Sequence, residues 1–258
     1  MTRHYEPLQP YLLMALADHH QSEIFLDVGA NIGAYAVLMT ALKSVETVHA
    51  FEPSPETLAE LKENIRLNAL DIEVHALAAS SKRKALNFGI VNSFSGANSV
   101  IETSIHEVFE RSIMVQAAPL DEVLDYRRRR LCIKIDVEGH EREALIGMAQ
   151  LLSTNKVILQ IEDFSEVEGE LTEMLAAHGL KSLFRINADR YFGTVALTDR
   201  QLVEIFERAA QGLVATNLAI LQESWNGPLI VPLGGSIKLQ LSGRLASIAR
   251  GIRKRLKR

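Results

Sequence analysis

The chain has one cysteine, one tryptophan and seven prolines, and no apolar run approaches the roughly 18 residues of a membrane span. A single thiol forms no internal disulfide, and Cys132 lies in the apolar run Leu131-Cys132-Ile133, where it reads as core filling. The longest apolar runs, such as residues 11–17, break off early, and the N-terminus lacks the basic-then-apolar layout of a signal peptide. The expectation is a soluble, cytoplasmic protein. Internal repeats and low-complexity blocks are missing too, which sets aside solenoids and propellers.

Positive charge is scarce outside the C-terminus. Residues 244–258 carry seven basic residues and no acidic one; without them the chain holds 21 basic against 32 acidic residues, a net −11 beneath the overall −4. An acidic body is a poor partner for a phosphate backbone, so no nucleic-acid partner is expected for the globular part.

What is present is enough apolar material for one core: 258 residues, 47% of them hydrophobic. Short apolar runs alternate with helical periodicity over the first two-thirds, the pattern of βαβ units on a parallel sheet. Residues 5–20 read as a lead-in helix, 23–27 as a strand, 32–43 as a helix and 47–51 as a second strand. Ser54 then caps a helix that has Pro55 at its first position and runs to about Asn68. A third strand at 72–76 leads into an inserted hairpin or lid region at 84–117. Then come a strand at 131–136, a helix at 141–152, a strand at 157–162 and a helix at 166–178. Strands at 180–186 and 190–195, a helix at 199–211 and a short strand at 216–221 complete the body. The expected organisation is a helical lead-in (1–22), a catalytic α/β domain (23–224), and a Gly/Pro-containing linker with a basic tail (225–258).

The chemistry concentrates at strand ends. Ile24-Phe25-Leu26-Asp27-Val28-Gly29-Ala30-Asn31-Ile32-Gly33 is a strand that ends in an acid and turns through two glycines into a helix. Open α/β sheets bind ligands at the carboxyl ends of their strands. Gly29 and Gly33 let the backbone approach a ligand closely, and Asp27 adds a carboxylate beside it. The G-x-x-x-G spacing departs from the G-x-G-x-x-G of dinucleotide enzymes, and Asp27 would repel a pyrophosphate while attracting an amino group or a sulfonium. That favours S-adenosylmethionine over a nicotinamide cofactor. Glu52, ending the second strand in Phe51-Glu52-Pro53, can accept both hydroxyls of a ribose.

With these motifs, and with Lys134-Ile135-Asp136-Val137-Glu138-Gly139-His140-Glu141 and Gln160-Ile161-Glu162, the chain resembles the FkbM-like family of class I methyltransferases from about Phe25 to Glu162. The resemblance implies a doubly wound, mostly parallel seven-stranded sheet of Rossmann-like type, S-adenosylmethionine as donor, and acceptor hydroxyls on sugars, glycolipids or polyketide-like products. It places Asp27, Gly29, Asn31, Gly33 and Glu52, with Pro53 next to it, around the cofactor, and Asp136 near the transferred methyl group.

Asp136 and Glu138 follow one apolar strand, and Glu162 and Asp163 end the next. On neighbouring strands about 5 Å apart their carboxylates converge. Such a cluster can take a proton from an attacking oxygen, orient sugar hydroxyls, or hold a divalent cation. Proton transfer and orientation rank above the cation, so no metal ligand is assigned. Both a base and a spectator reading of His140 stand open, while Glu141 and Glu143 read as an acidic first turn favoured by the helix dipole. Asn98 and Ser99 in the insert are candidate acceptor contacts.

Other chemistries lack their signatures. No Asn/Asp-Pro-Pro-aromatic turn follows the fourth strand, as amino methylation of a flipped base would require, and Cys132 sits mid-strand rather than as a nucleophile. A non-catalytic adenosylmethionine-binding module remains the alternative from another class. In the tail, Leu245, Ile248, Ala249, Ile252 and Leu256 recur at helical spacing among arginines and lysines. That basic amphipathic pattern suits peripheral membrane contact through 244–258, or docking on the acidic body. Oligomeric state stays open.

Overall fold

A computed structural model describes residues 8–91, 97–103, 109–163 and 169–224, with side chains as far as Ala215. Among them the elements run α1 (Gln9–His20), β1 (Ile24–Val28), α2 (Ala34–Met39), β2 (Thr47–Phe51), α3 (Pro55–Leu67) and β3 (Glu73–His75). The middle of the chain supplies β4 (Ala78–Ala79), β5 (Lys84–Ile90), β6 (Ser99–Val100), β7 (Arg111–Ala118) and β8 (Arg130–Ile135). Then follow α4 (Glu141–Ile146), α5 (Ala149–Thr154), β9 (Lys156–Glu162), α6 (Glu170–Ala177), β10 (Lys181–Ile186), β11 (Asp189–Gly193) and α7 (Asp199–Ser224).

Seven strands form the main sheet in the order β10-β11-β9-β8-β1-β2-β3. All neighbours are parallel except β11, which runs antiparallel to both β9 and β10. The chain winds outward from β1 to β3, then returns to the other side of β1 with β8. That reversal is a topological switch point, where crevices open at the carboxyl ends of the strands.

β1 and β8 are buried on both faces, as a central parallel strand must be. On one face Leu26, Phe51, Ile133 and Leu159 pack with Leu145, Leu151 and Leu175 of the helices. On the other, Phe25, Val48 and Cys132 pack with Leu12, Leu13 and Leu16 of α1 and Ile205 and Ala209 of α7. The lead-in helix therefore shares the core of the sheet, and Cys132 is a fully buried member of it.

Several elements differ from their sequence expectation. The inserted region is a four-stranded sheet, β4-β7-β5-β6, with its own apolar cluster of Leu86, Phe88, Ile90, Val100 and Val115. The helix expected at 141–152 breaks into α4 and α5 at Gly147, where a Cβ would lie 2.0 Å from the Ser80 carbonyl oxygen; the close approach of the insert interrupts the helix there. The short strand expected at 216–221 is instead the continuation of α7, whose helical periodicity carries through it. Ser54 occupies the cap position of α3 without a capping side-chain bond. The loop at 92–96 and the linker and tail at 225–258, including the amphipathic pattern at 244–258, lie outside the described residues. Among the described residues no helix is long and apolar enough to cross a membrane.

Candidate functional site

The turn after β1 is built on glycine for steric reasons. Gly29 adopts φ +81°, and a Cβ on it would lie 1.9 Å from the Asp136 carbonyl oxygen, so only glycine lets the β1 turn lie against the end of β8. Gly33, at φ +90°, would drive a Cβ to 2.4 Å from Leu61 Cδ1 of α3. Gly29 and Ala30 donate their N–H groups to the Phe51 carbonyl at 3.0 and 2.9 Å, which ties the turn to β2.

Those constraints shape a crevice of about 570 Å³ of empty space, open to solvent. Gly29, Asn31, Glu52 and Pro53 line one side of it, and Asp136, Glu138 and His140 another. Phe88, Asn98 and Val100 of the insert close the wall, so the inserted sheet is part of the site. Asp27 and Gly33 are not in the lining. Asp27, 1% exposed, lies beneath the turn, where its Oδ2 accepts the Ala36 N–H at 3.0 Å. Burial pushes its carboxyl up to about 6, and its buried Oδ1 has no hydrogen-bond partner among the described residues.

Glu52 is held rigidly. Its Oε2 accepts the Asn31 N–H at 3.0 Å and its Oε1 the Ser54 N–H at 2.9 Å. Burial pushes its carboxyl up to about 7 in spite of those two bonds. Each carboxylate oxygen accepts more than one hydrogen bond, so capacity remains on the crevice side.

Across the crevice, Asp136 accepts a bond from Lys134 Nζ at 2.9 Å. Lys134 is a side chain only 9% exposed, and its ammonium lies 4.8 Å from the centre of the Tyr35 ring. Burial alone would discharge it; Asp136 and Asp27 outweigh that and hold it charged. Donor atoms of Asp136, Glu138 and Glu162 all lie within 4.8 Å of one another, so the expected convergence of carboxylates is present. Burial, then the negative charge of Asp136 and a hydrogen bond to it, push the Glu162 carboxyl well above its usual range. Glu162 therefore holds its proton more tightly than an ordinary carboxyl does.

His140 is engaged at both ring nitrogens, Nδ1 with Thr103 Oγ1 at 2.8 Å and Nε2 with Ser80 Oγ at 3.1 Å. Burial keeps it neutral. Glu141 does more than complement a helix dipole: its Oε1 accepts the N–H groups of Val137 and Gly139, stapling the turn on which Glu138 adopts φ +51°. Asn98 Oδ1 accepts the Val91 N–H at 2.7 Å, so it braces the insert as well as facing the crevice.

Sequence reasoning singled out neither Lys134 nor Tyr35. A lone lysine inside Leu131-Cys132-Ile133-Lys134-Ile135 was the available signal, since a buried cation needs a partner. Tyr35, on the first turn of α2, carried no comparable mark.

The crevice opens at the topological switch point of the sheet, and comparison with known proteins decides the family. Residues 27–185, more than half of the chain, match the Methyltransferase FkbM domain. The chain belongs to the FkbM methyltransferase family. Membership makes the protein a methyltransferase that uses S-adenosylmethionine. The chain is 27% identical over 189 residues to the hexuronic acid methyltransferase AglP of Haloferax volcanii, covering 71% of this chain and 74% of that protein. It is 24% identical over 187 residues to the 31-O-demethyl-FK506 methyltransferase FkbM of Streptomyces tacrolimicus, covering 61% and 72%. Among solved structures, the FkbM methyltransferase of Methylobacillus flagellatus KT aligns with a TM-score of 0.47 at 22% identity, covering 67% of this chain and 43% of that one.

Proposed function

We propose that this FkbM-family protein methylates a hydroxyl oxygen of an uncharged sugar or glycan. The observation that carries the acceptor class is the crevice wall across from Glu52: Asp136 and Glu138 line it, and no lysine or arginine lines the crevice among the described residues. Carboxylates accept hydrogen bonds from sugar hydroxyls and repel an anionic acceptor such as a uronate. The name of one relative, a 31-O-demethyl-FK506 methyltransferase, supports an oxygen acceptor, and that of the other, a hexuronic acid methyltransferase, supports a sugar scaffold. The apolar patch of Phe88, Val100 and Leu77 suits the hydrophobic face of a sugar ring or of a polyketide-like alcohol.

When bound, S-adenosylmethionine supplies a methyl group activated by the sulfonium. Glu52 and the Gly29 turn fit its nucleoside, with the carboxylate accepting the ribose hydroxyls and Asn31 and Pro53 flanking them. Asp27 and Gly33 act from beneath, fixing the turn and the start of α2. Asp136 takes the proton of the acceptor hydroxyl, its carboxylate positioned by Lys134 and by the Glu162 carboxyl. Glu138 orients the acceptor. His140, clamped between two hydroxyls, holds the insert against α4 and leaves proton transfer to Asp136. The positive charge next to Asp136 comes from Lys134, so a divalent cation at Asp136, Glu138 and Glu162 is not required. Peripheral membrane contact through residues 244–258 would bring such an enzyme to lipid-linked glycans.

A methyl-transfer assay against neutral sugars, uronates and polyketide-like alcohols tests the reading. Turnover on neutral hydroxyls with weaker turnover on uronates supports it; a preference for uronates contradicts the acceptor class. Cofactor binding without turnover on any acceptor, unchanged by Asp136→Asn, would point instead to a non-catalytic adenosylmethionine-binding protein.

A further inference from the structure

Away from the carboxylate crevice, on the far edge of the main sheet, three metal-competent side chains meet at one point. β2 and β3 run parallel with His49 opposite Glu73 and Phe51 opposite His75. Alternation along a strand puts positions 49 and 51, and likewise 73 and 75, on one face, so the register brings two imidazoles and a carboxylate together. His49 Nδ1 lies 3.1 Å from His75 Nε2 and 3.4 Å from Glu73 Oε2, and the donor atoms of all three residues lie within 4.8 Å of one another. Nitrogen and oxygen donors bound to a tetrahedral zinc ion stand about 3.3 Å apart, given bond lengths near 2.0–2.1 Å.

We propose that His49, Glu73 and His75 form a site for a divalent transition-metal ion of zinc type, with the fourth coordination position taken by solvent. Its existence does not depend on the methyl-transfer reading. A further observation fits a ligand set. His49 Nε2 lies 2.8 Å from the Tyr126 hydroxyl, an outer partner that can accept the Nε2 proton and leave the Nδ1 lone pair facing His75 and Glu73. Glu73, with its side chain 59% exposed, contributes negative charge and opens the site to solvent, while His49 is buried at 2%. Two imidazoles with one carboxylate select zinc, cobalt or nickel over magnesium, which prefers oxygen donors.

An ion here braces the crevice floor. The His75 ring stacks on Phe51 with centroids 4.4 Å apart, Phe51 lines the crevice, and the Glu52 N–H donates to the His75 carbonyl at 3.1 Å. The assignment is therefore structural: the ion ties β3 to the strand that presents Glu52.

The full chain, stripped of metal by chelation and dialysis, is titrated with zinc by calorimetry and with cobalt(II) by visible absorption. The proposal expects one equivalent bound, the intense visible bands of tetrahedral cobalt, and a higher melting temperature for the loaded protein. Glu73→Gln at the exposed position and His75→Ala should each weaken binding at least tenfold and remove those bands, with far-UV circular dichroism unchanged. Absence of binding by the folded wild type overturns the proposal. So does an equivalent that survives both substitutions, or one that disappears with Glu162→Gln instead.

Discussion

Gly29 and Asp136, more than a hundred residues apart, approach so closely that one added carbon would collide: a Cβ on Gly29 would lie 1.9 Å from the Asp136 carbonyl oxygen. The contact locks the β1 turn to the end of β8, and it fixes the distance between the Glu52 side and the Asp136 side of the crevice. Gly29→Ala meets both the clash and a φ of +81°. It should cost at least ~2 kcal/mol, or a melting temperature lower by about 5 °C, and abolish cofactor binding. Thermal unfolding and calorimetry check both; a variant that melts and binds like wild type would show that the turn relaxes freely.

The pH dependence of stability should expose Glu52. Burial lifts its carboxyl from 4.5 to about 7. The folded state therefore holds this proton more tightly than the unfolded chain does. Its stabilising contribution is full below about pH 4.5 and lost as the pH rises through 7. In the cofactor-free protein, wild type should lose up to ~3 kcal/mol relative to Glu52→Gln between pH 4.5 and 8. Parallel stability curves for the two proteins would contradict the assignment. Cofactor affinity should rise over the same interval, as the carboxylate becomes available to the ribose.

Removing the Lys134 ammonium leaves the buried Asp27 and the partly exposed Asp136 without their nearby cation. Lys134→Met should destabilise by ~3 kcal/mol and depress turnover. Asp136→Asn should lose turnover by a factor of 10² to 10⁴ with cofactor affinity within about threefold of wild type. Equal losses of binding and rate in Asp136→Asn would make it a cofactor ligand rather than a proton acceptor.

A metal at the Asp136, Glu138 and Glu162 carboxylates and one at the His49 site make different demands. Exhaustive chelation should leave turnover intact when assayed well below the melting temperature, while lowering that temperature. Loss of turnover restored by magnesium would instead place a cation at Asp136, Glu138 and Glu162.

The parts of the site legible in the sequence were those with local grammar. Asp27, Gly29 and Gly33 form a strand-turn-helix unit readable within ten residues, and Glu52 ends an apolar strand. Their supporting contacts were hidden because they are long-range: nothing near Gly147 announces the Ser80 carbonyl that breaks the helix at 141–152. The two-residue strands Ala78–Ala79 and Ser99–Val100 are too short for any periodicity to register, so the inserted sheet read as a hairpin or lid. His49, Glu73 and His75 meet only through strand register, which pattern along one strand does not reveal. The run at 216–221 has the apolar content of a strand, and only its continuity with the helix starting at Asp199 decides its form.

The central claim, that the crevice between Glu52 and Asp136 binds S-adenosylmethionine, is tested most directly by calorimetric titration of the cofactor and its demethylated product, with NAD as control, on wild type and Glu52→Ala. Binding of the first two but not NAD, weakened about a hundredfold or more in the variant, is the result predicted from two lost charge-assisted hydrogen bonds. Cofactor binding unaffected by Glu52→Ala, or absent from the folded wild type, would contradict it.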